Sequence, residues 1–300
     1  MTRSHKKESI SSNKKDISIA IITIFRNNQQ NTRQKHKEQF LKRISFLKKY
    51  GHFDVYLIEQ SQDNCKFNIG KLKNIGFQKA IESKKKYDFY IFTDADIIPD
   101  KNLAPYYFKT IKGVSCLGTN GTRYQGSKCF MGSCLGFDSE SYQQINGYPN
   151  NFWGWGGEDE AILIRCNLNN IKVHVPKKGS IIDLETNLQG KKLKLEDKMK
   201  SLKKGKKKED TKNEKEILET KIWKRNGLNN LDYRLLSSTT SSNHGYQLNH
   251  YTVDLNYSQD HLKHTEWFDL SRFTELSYEQ LKKEKKKTLK KYKQCQPMYY

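Results

Sequence analysis

No stretch of the 300-residue sequence approaches the run of about 18 apolar residues that a membrane-spanning helix needs. Met1 to Asp16 has no apolar centre, so nothing there reads as a secretory signal. From these two absences we expect a cytoplasmic protein without a membrane anchor. The six cysteines, Cys65, Cys116, Cys129, Cys134, Cys166 and Cys295, show no zinc-like spacing. They are expected to be free thiols in a reducing compartment. Acidic residues are scarce beside basic ones, 33 against 55, which leaves a net charge of +22. Much of that excess lies in residues 1–16, 190–216 and 281–293, with net charges of +3, +6 and +7. Basic tails of this kind bind acidic surfaces weakly and without sequence preference. A specific nucleic-acid partner would need the charge on a folded face, so none is expected.

The stretch that is there, and that propensity does not explain, runs from Asn151 to Glu160. It holds Trp153 and Trp155, three glycines, and Glu158, Asp159 and Glu160. Glycine lets a ligand approach the backbone closely. Trp155 offers a flat apolar face with one N–H donor, suited to a sugar ring. The acids open a helical run through Leu168, where the macrodipole favours carboxylates. One reading is only an acidic helix start after a glycine turn. The other is a carboxylate held on a rigid helix end to take a proton from a hydroxyl.

Upstream, the chain alternates strands and helices. Ile17–Ile24 is β-branched and apolar, like a buried parallel strand, and runs into Phe25-Arg26-Asn27-Asn28. Such a tip lies at the carboxyl edge of a sheet, where α/β proteins bind ligands. Gln34–Tyr50 reads as an amphipathic helix, Phe53–Gln60 as a second strand, and the segment after Phe67 as a helix to about Lys85. Tyr87–Thr93 is a further strand that ends in Asp94-Ala95-Asp96. Two carboxylates two apart at a strand end repel unless a cation sits beside them. A hard divalent ion that also bridges phosphates fits this pattern. Residues 100–128 show no clear period. Ile171–Pro176 reads as another strand, followed by Gly179 to Thr186 with Asp183 and Glu185. Those two acids are either hard oxygen ligands or solvated strand-end carboxylates.

The run Trp153-Gly154-Trp155-Gly156-Gly157-Glu158-Asp159-Glu160 closely resembles the WGWGGEDD signature of the β-1,4-galactosyltransferases, family 7 of the glycosyltransferases. Phe25-Arg26-Asn27-Asn28 is similar to that family's Phe-Arg-Asn-Arg, with the second arginine replaced. Phe67-Asn68-Ile69-Gly70-Lys71-Leu72-Lys73-Asn74-Ile75-Gly76-Phe77 is similar to its Phe-Asn-Arg-Ala-Lys-Leu-Leu-Asn-Val-Gly-Phe. Cys129–Phe137 resembles its Tyr-Phe-Gly-Gly-Val-Ser-Ala-Leu. The resemblance spans about residues 17–256. It implies a GT-A-like α/β single domain with a mostly parallel central sheet and a DxD metal site.

The resemblance also implies roles. Phe25 and Arg26 hold the nucleotide diphosphate and Phe67 stacks on the uracil. Asp94, Ala95, Trp155 and Glu158 line the donor, and Asp96 binds Mn²⁺ or Mg²⁺. Asp183 falls on the family's methionine ligand, and either Asp183 or Glu185 stands in for its Met/His pair. Gly132, Trp155, Asp159 and Glu160 face the acceptor, and Asp159 is the base. Cys129 stands at a tyrosine that limits the donor's 2-substituent, so a roomier pocket is expected.

The chain therefore divides into a basic tail at 1–16, a catalytic domain at 17–256 and a basic extension at 257–300. Residues 190–216 form a Lys-rich insertion, either a lid extension or disorder. The expected function is inverting, metal-dependent transfer of a hexose, galactose first, from a UDP-sugar to a saccharide or glycoconjugate hydroxyl. The alternatives are a catalytically inactive carbohydrate-binding relative and, behind it, a basic polyanion-binding protein.

Overall fold

The first strand, β1 (Ser18–Phe25), is apolar apart from Ser18 and Thr23 and is buried from Ile19 onward, because both its faces are covered. Ile19 and Ile21 enter one hydrophobic cluster with Phe40, Leu41, Val55 and Phe89. Ala20 and Ile22 enter another with Tyr56, Phe77, Tyr90 and Phe92. The period of two along the strand thus builds a two-sided core. The computed structural model describes residues 17–27, 32–62, 66–120, 129–154, 157–184, 222–242, 244–255 and 295–300. The basic tail, the Lys-rich insertion and most of the C-terminal extension lie outside the described residues.

After β1 come α1 (Thr32–Ile44), β2 (His52–Gln60), α2 (Ile69–Glu82), β3 (Phe89–Asp94), β4 (Ile97–Pro99), α3 (Ala104–Tyr107), β5 (Val114–Ser115) and β6 (Cys134–Phe137). Then follow α4 (Ser139–Gln144), α5 (Glu158–Leu168), β7 (Val173–Val175), β8 (Ile181–Asp183), β9 (Arg234–Ser241), β10 (Gln247–Asp254) and β11 (Met298–Tyr299). Nine strands form one sheet in the order β11-β7-β5-β6-β3-β1-β2-β10-β9, and β4 pairs with β8 in a separate ribbon. Of the eight pairings in the large sheet, five are parallel: β1 with β2 and β3, β10 with β2, β7 with β5 and β11. The sheet is therefore mixed but mostly parallel, as expected. Among the described residues no helix is long and apolar enough to cross a membrane.

Aromatic packing fixes β3 against α4. Phe92 stacks on Tyr142 with ring centroids 4.4 Å apart, and both side chains are fully buried. Truncating Phe92 to alanine would cost about 3–5 kcal/mol. The same packing sets the height of the β3 end, where the aspartates lie.

Several expectations are corrected. The first helix is α-helical only to Ile44 and continues as a 3₁₀ turn over Ser45–Lys49. α2 stops at Glu82, and Lys84 adopts a positive φ of 59° just beyond it. The cysteines are not all free: Cys129 and Cys295 are joined by a disulfide, while Cys116, Cys134 and Cys166 are buried thiols. Cys65 lies outside the described residues. The disulfide also alters the reading of Cys129, which is a cystine half rather than a small thiol. Beyond it, β11 pairs in parallel with β7 and extends the main sheet. Tyr300 Oη and Ser115 Oγ are hydrogen-bonded at 2.5 Å behind that edge.

Candidate active site

Helix α5 begins at Gly157, whose φ of 98° lies in the left-handed region that glycine tolerates. Glu158, Asp159 and Glu160 fill its first turn. Glu158 is buried, Asp159 half-buried and Glu160 exposed. Burial first, then the neighbouring Glu158, hold the Asp159 carboxyl well above the usual carboxylate range. Asp94 and Glu160 push the same way, and Lys73 opposes them. A dipole-stabilised surface acid would not behave so. A carboxylate with raised proton affinity is a stronger base than an ordinary aspartate, as a group that takes a proton from a hydroxyl needs to be.

Gly132 faces this acid. A Cβ on Gly132 would collide with Asp159 Oδ2 and the Phe130 ring. The backbone must come this close for Asp159 to lie where it does, so the glycine is required by approach. Gly132 and Asp159, both read as facing an acceptor, are thus neighbours in the fold.

The two DxD aspartates sit on a turn rather than along one strand. Asp94 ends β3, and its N–H donates to Ser133 O at 3.1 Å. Asp96 precedes β4, and its carbonyl accepts from Leu184 N at 2.8 Å. In the antiparallel β4–β8 ribbon Asp183 pairs with Ile97. The ribbon thus brings Asp183 beside Asp96, some ninety residues away in sequence. Asp94 Oδ1 is buried without a hydrogen-bond partner. Its cation is Lys73, whose Nζ lies 3.5 Å away. Carboxylates alone make a hard donor set that fits Mn²⁺ or Mg²⁺ and not a thiophilic ion. Among the described residues no three or more His, Cys, Asp or Glu converge as a metal site.

At the other end of the site the Arg26 guanidinium lies 5.4 Å from the Phe67 ring centroid. The chain tip after β1 and the loop before α2 therefore meet. Phe25 is buried, with Lys37 Nζ 4.3 Å above its ring, so its side chain belongs to the core. Ala95 is nearly buried. The Phe67 carbonyl accepts from Gly154 N at 2.9 Å, tying this loop to the glycine-rich stretch. Trp155 and Glu185 lie outside the described residues, as do Asn28 and Thr186.

A polar network that the sequence reading did not single out holds these loops. Asn74 Nδ2 donates to Tyr148 O and Asn150 Oδ1, both at 2.8 Å. Asn74 Oδ1 accepts from Tyr142 Oη at 2.7 Å and Tyr148 N at 2.9 Å. Asn150 Nδ2 donates to Gly227 O and Asn230 Oδ1. Arg165 donates to Gly147 O at 2.7 Å and Asn226 O at 2.8 Å. Lys73 was missed as well. Its signal was present: it lies four residues from both Ile69 and Phe77, in line with the apolar face of a helix.

Two family descriptions cover the chain in succession. Residues 8–109 match the N-terminal region of glycosyl transferase group 7, and residues 114–187 match the N-terminal domain of galactosyltransferase. The chain belongs to glycosyltransferase family 7. Among its family 7 relatives, β-1,4-galactosyltransferase 4 of Rattus norvegicus is 29% identical over 231 residues, 73% of this chain and 59% of that one. β-1,4-Galactosyltransferase 2 of Homo sapiens is 33% identical over 164 residues, 53% of this chain and 42% of that one. The chain thus spans 59% of the length of the first of these relatives. A solved structure of a Drosophila β-1,4-galactosyltransferase 7 mutant with manganese, UDP-Gal and xylobiose superposes with a TM-score of 0.60 at 22% identity. It covers 84% of this chain and 98% of that one. At that identity the likeness is one of fold, and the fold is the GT-A-like α/β arrangement expected.

Proposed function

We propose that this family 7 chain transfers a hexose, galactose first, from a UDP-sugar to a saccharide hydroxyl with inversion. The observation that carries the reading is Asp159, a carboxyl with raised proton affinity on a rigid helix end against Gly132. Residues 17–256 make up the catalytic unit. The family 7 relatives named above are galactosyltransferases, and the Drosophila complex holds manganese, UDP-Gal and xylobiose, which supports this donor and acceptor class.

In the reaction Asp159 takes the proton of the acceptor hydroxyl as that oxygen attacks the anomeric carbon from the face opposite UDP. Arg26 and Phe67 hold the nucleotide, one by charge and one by its ring. Asp94 faces the donor sugar, while its buried Oδ1 lies against Lys73. Trp155 and Glu160 shape the acceptor site, and Glu158 supports the donor side. Asp96 and Asp183, with Glu185, are the side chains that would hold Mn²⁺ or Mg²⁺. When bound, such an ion supplies positive charge to the departing diphosphate.

The test is UDP release with UDP-Gal, UDP-GalNAc and UDP-Glc in the presence of Mn²⁺, without and then with simple saccharide acceptors. Acceptor-stimulated release from UDP-Gal, lost in EDTA, is the expected result. Saccharide binding with no release from any donor would favour the carbohydrate-binding alternative.

A further inference from the structure

Lys73 is 2% exposed, on the buried face of α2. Its ammonium lies 3.5 Å from Asp94 Oδ1 and 5.2 Å from the Tyr148 ring centroid. A buried lysine is costly unless a carboxylate compensates it, and a well-packed apolar side chain is commonly as stable or more so. The family segment that this helix resembles has leucine at this place, so the fold does not need a cation there. The pair is also poorly made as a structural ion pair. Asp94 Oδ1 has no hydrogen bond, and neither does the buried Tyr148 hydroxyl beside it.

We propose that Lys73 is a positioning residue of the active site, an internal counter-cation that holds Asp94 from beneath and offsets the negative charge gathered around Asp159. The inference rests on the proposed function, because it assigns Asp94 and Asp159 to one reaction. The groups whose charge acts on Asp159 are Glu158 and Glu160 from its own helix, Asp94 from β3 and Lys73 from α2; the Tyr148 hydroxyl lies close by. Lys73 is the cation among them. Removing its charge has two opposite effects. The site becomes more negative beside Asp96, so it attracts a divalent ion more strongly. The base becomes harder to ionise, so turnover falls at neutral pH.

The experiment compares the full chain with Lys73→Leu, Lys73→Met and Lys73→Arg. Calorimetry measures Mn²⁺ binding in the presence of UDP, without turnover, and steady-state kinetics give kcat against pH. In Lys73→Leu and Lys73→Met, Mn²⁺ should bind several-fold more tightly while kcat at pH 7 falls about tenfold. The acid limb of the pH profile should move up by about one unit, with activity recovering at alkaline pH. Lys73→Arg should restore much of kcat. If Lys73→Leu and Lys73→Met leave metal affinity, kcat and the acid limb unchanged, the proposal is overturned. It is equally overturned if all three decline together with Tm, which is what a purely structural lysine would give. A full chain that neither binds UDP with Mn²⁺ nor releases UDP from any donor fails the proposed function itself, and Lys73 with it.

Discussion

Lys73 and Asn74 are neighbours in sequence and belong to opposite kinds of polar interior. Asn74 uses both ends of its amide in four hydrogen bonds, to Tyr148, Asn150 and Tyr142. One residue earlier, Lys73 meets a carboxylate oxygen that has no hydrogen bond at all. A fully satisfied network rigidifies a structure and specifies one arrangement. A poorly satisfied one costs stability, and such places are where binding groups wait for a partner. The first cluster fixes the loops around the site. The second holds the carboxylate that the proposed reaction would use.

The sharpest way to break this comparison is Asp159→Asn. Turnover should drop about 10²–10⁴-fold while UDP and Mn²⁺ affinities hold, since the base acts on the acceptor. The same variant should be more stable at neutral pH, by a few degrees in Tm. The sign follows from the raised proton affinity of Asp159 in the fold. Its favourable contribution is present below the unfolded pKa and lost as pH rises through the folded one. Above the unfolded pKa that contribution falls away, a cost that asparagine does not carry. Thermal melts and initial rates on the same preparation decide both halves. A slower enzyme that is also less stable would place Asp159 in the scaffold instead.

Gly132→Ala tests the approach to Asp159. The new Cβ meets Asp159 Oδ2, so the carboxylate must shift. A misplacement of about 1 Å can cost 10²-fold in rate, and a loss of that order in kcat is expected, with Tm within a few degrees of the parent. Rates at saturating donor and acceptor are the measurement.

Asn74→Ala should do the reverse. It strands the Tyr142 hydroxyl and the Tyr148 N–H, and stability should fall by about 3 kcal/mol in urea unfolding. The folded fraction should keep kcat within about twofold, because no reacting group is touched. A large kcat defect with normal stability would merge the two clusters into one.

The smallest effect concerns the disulfide. Cys295→Ser should lower stability by about 2 kcal/mol by releasing the segment that carries β11. Comparing UDP-GalNAc with UDP-Gal in that variant asks whether the Cys129 half of the cystine touches the donor. An unchanged ratio assigns the bond to the scaffold alone.

Much of this was legible in the sequence. β1 announced itself by a run rich in β-branched residues, and α5 by its acids after glycine. The DxD aspartates stood out because an apolar strand precedes them. Asp183 was reached only by counting along a resemblance, and its place beside Asp96 depends on a three-residue ribbon too short to leave a pattern. β5 has two residues and was invisible within 100–128 for the same reason. The Cys129–Cys295 bond joins positions 166 apart in sequence, and β11 pairs Met298 with the distant His174, which no local period encodes. Phe25 was assigned to the nucleotide by resemblance alone, and in the fold it is the buried last residue of β1. Asn74 and Lys73 read alike as polar helix residues, and only their surroundings separate them.

The pairing of β10 with β2 has a consequence for how the protein is made. Val253 lies opposite Gln60, so the outer edge of β2 gains its partner only after almost two hundred further residues have been added. At about 5–20 residues per second, that edge leaves the ribosome about 10–40 s before β10 can cover it. During that interval the growing chain displays an apolar, unpaired strand, a template for association with other nascent chains. Among the described strands β2, which joins β10 and β9 to the other six, is also the one that must wait longest for its partner.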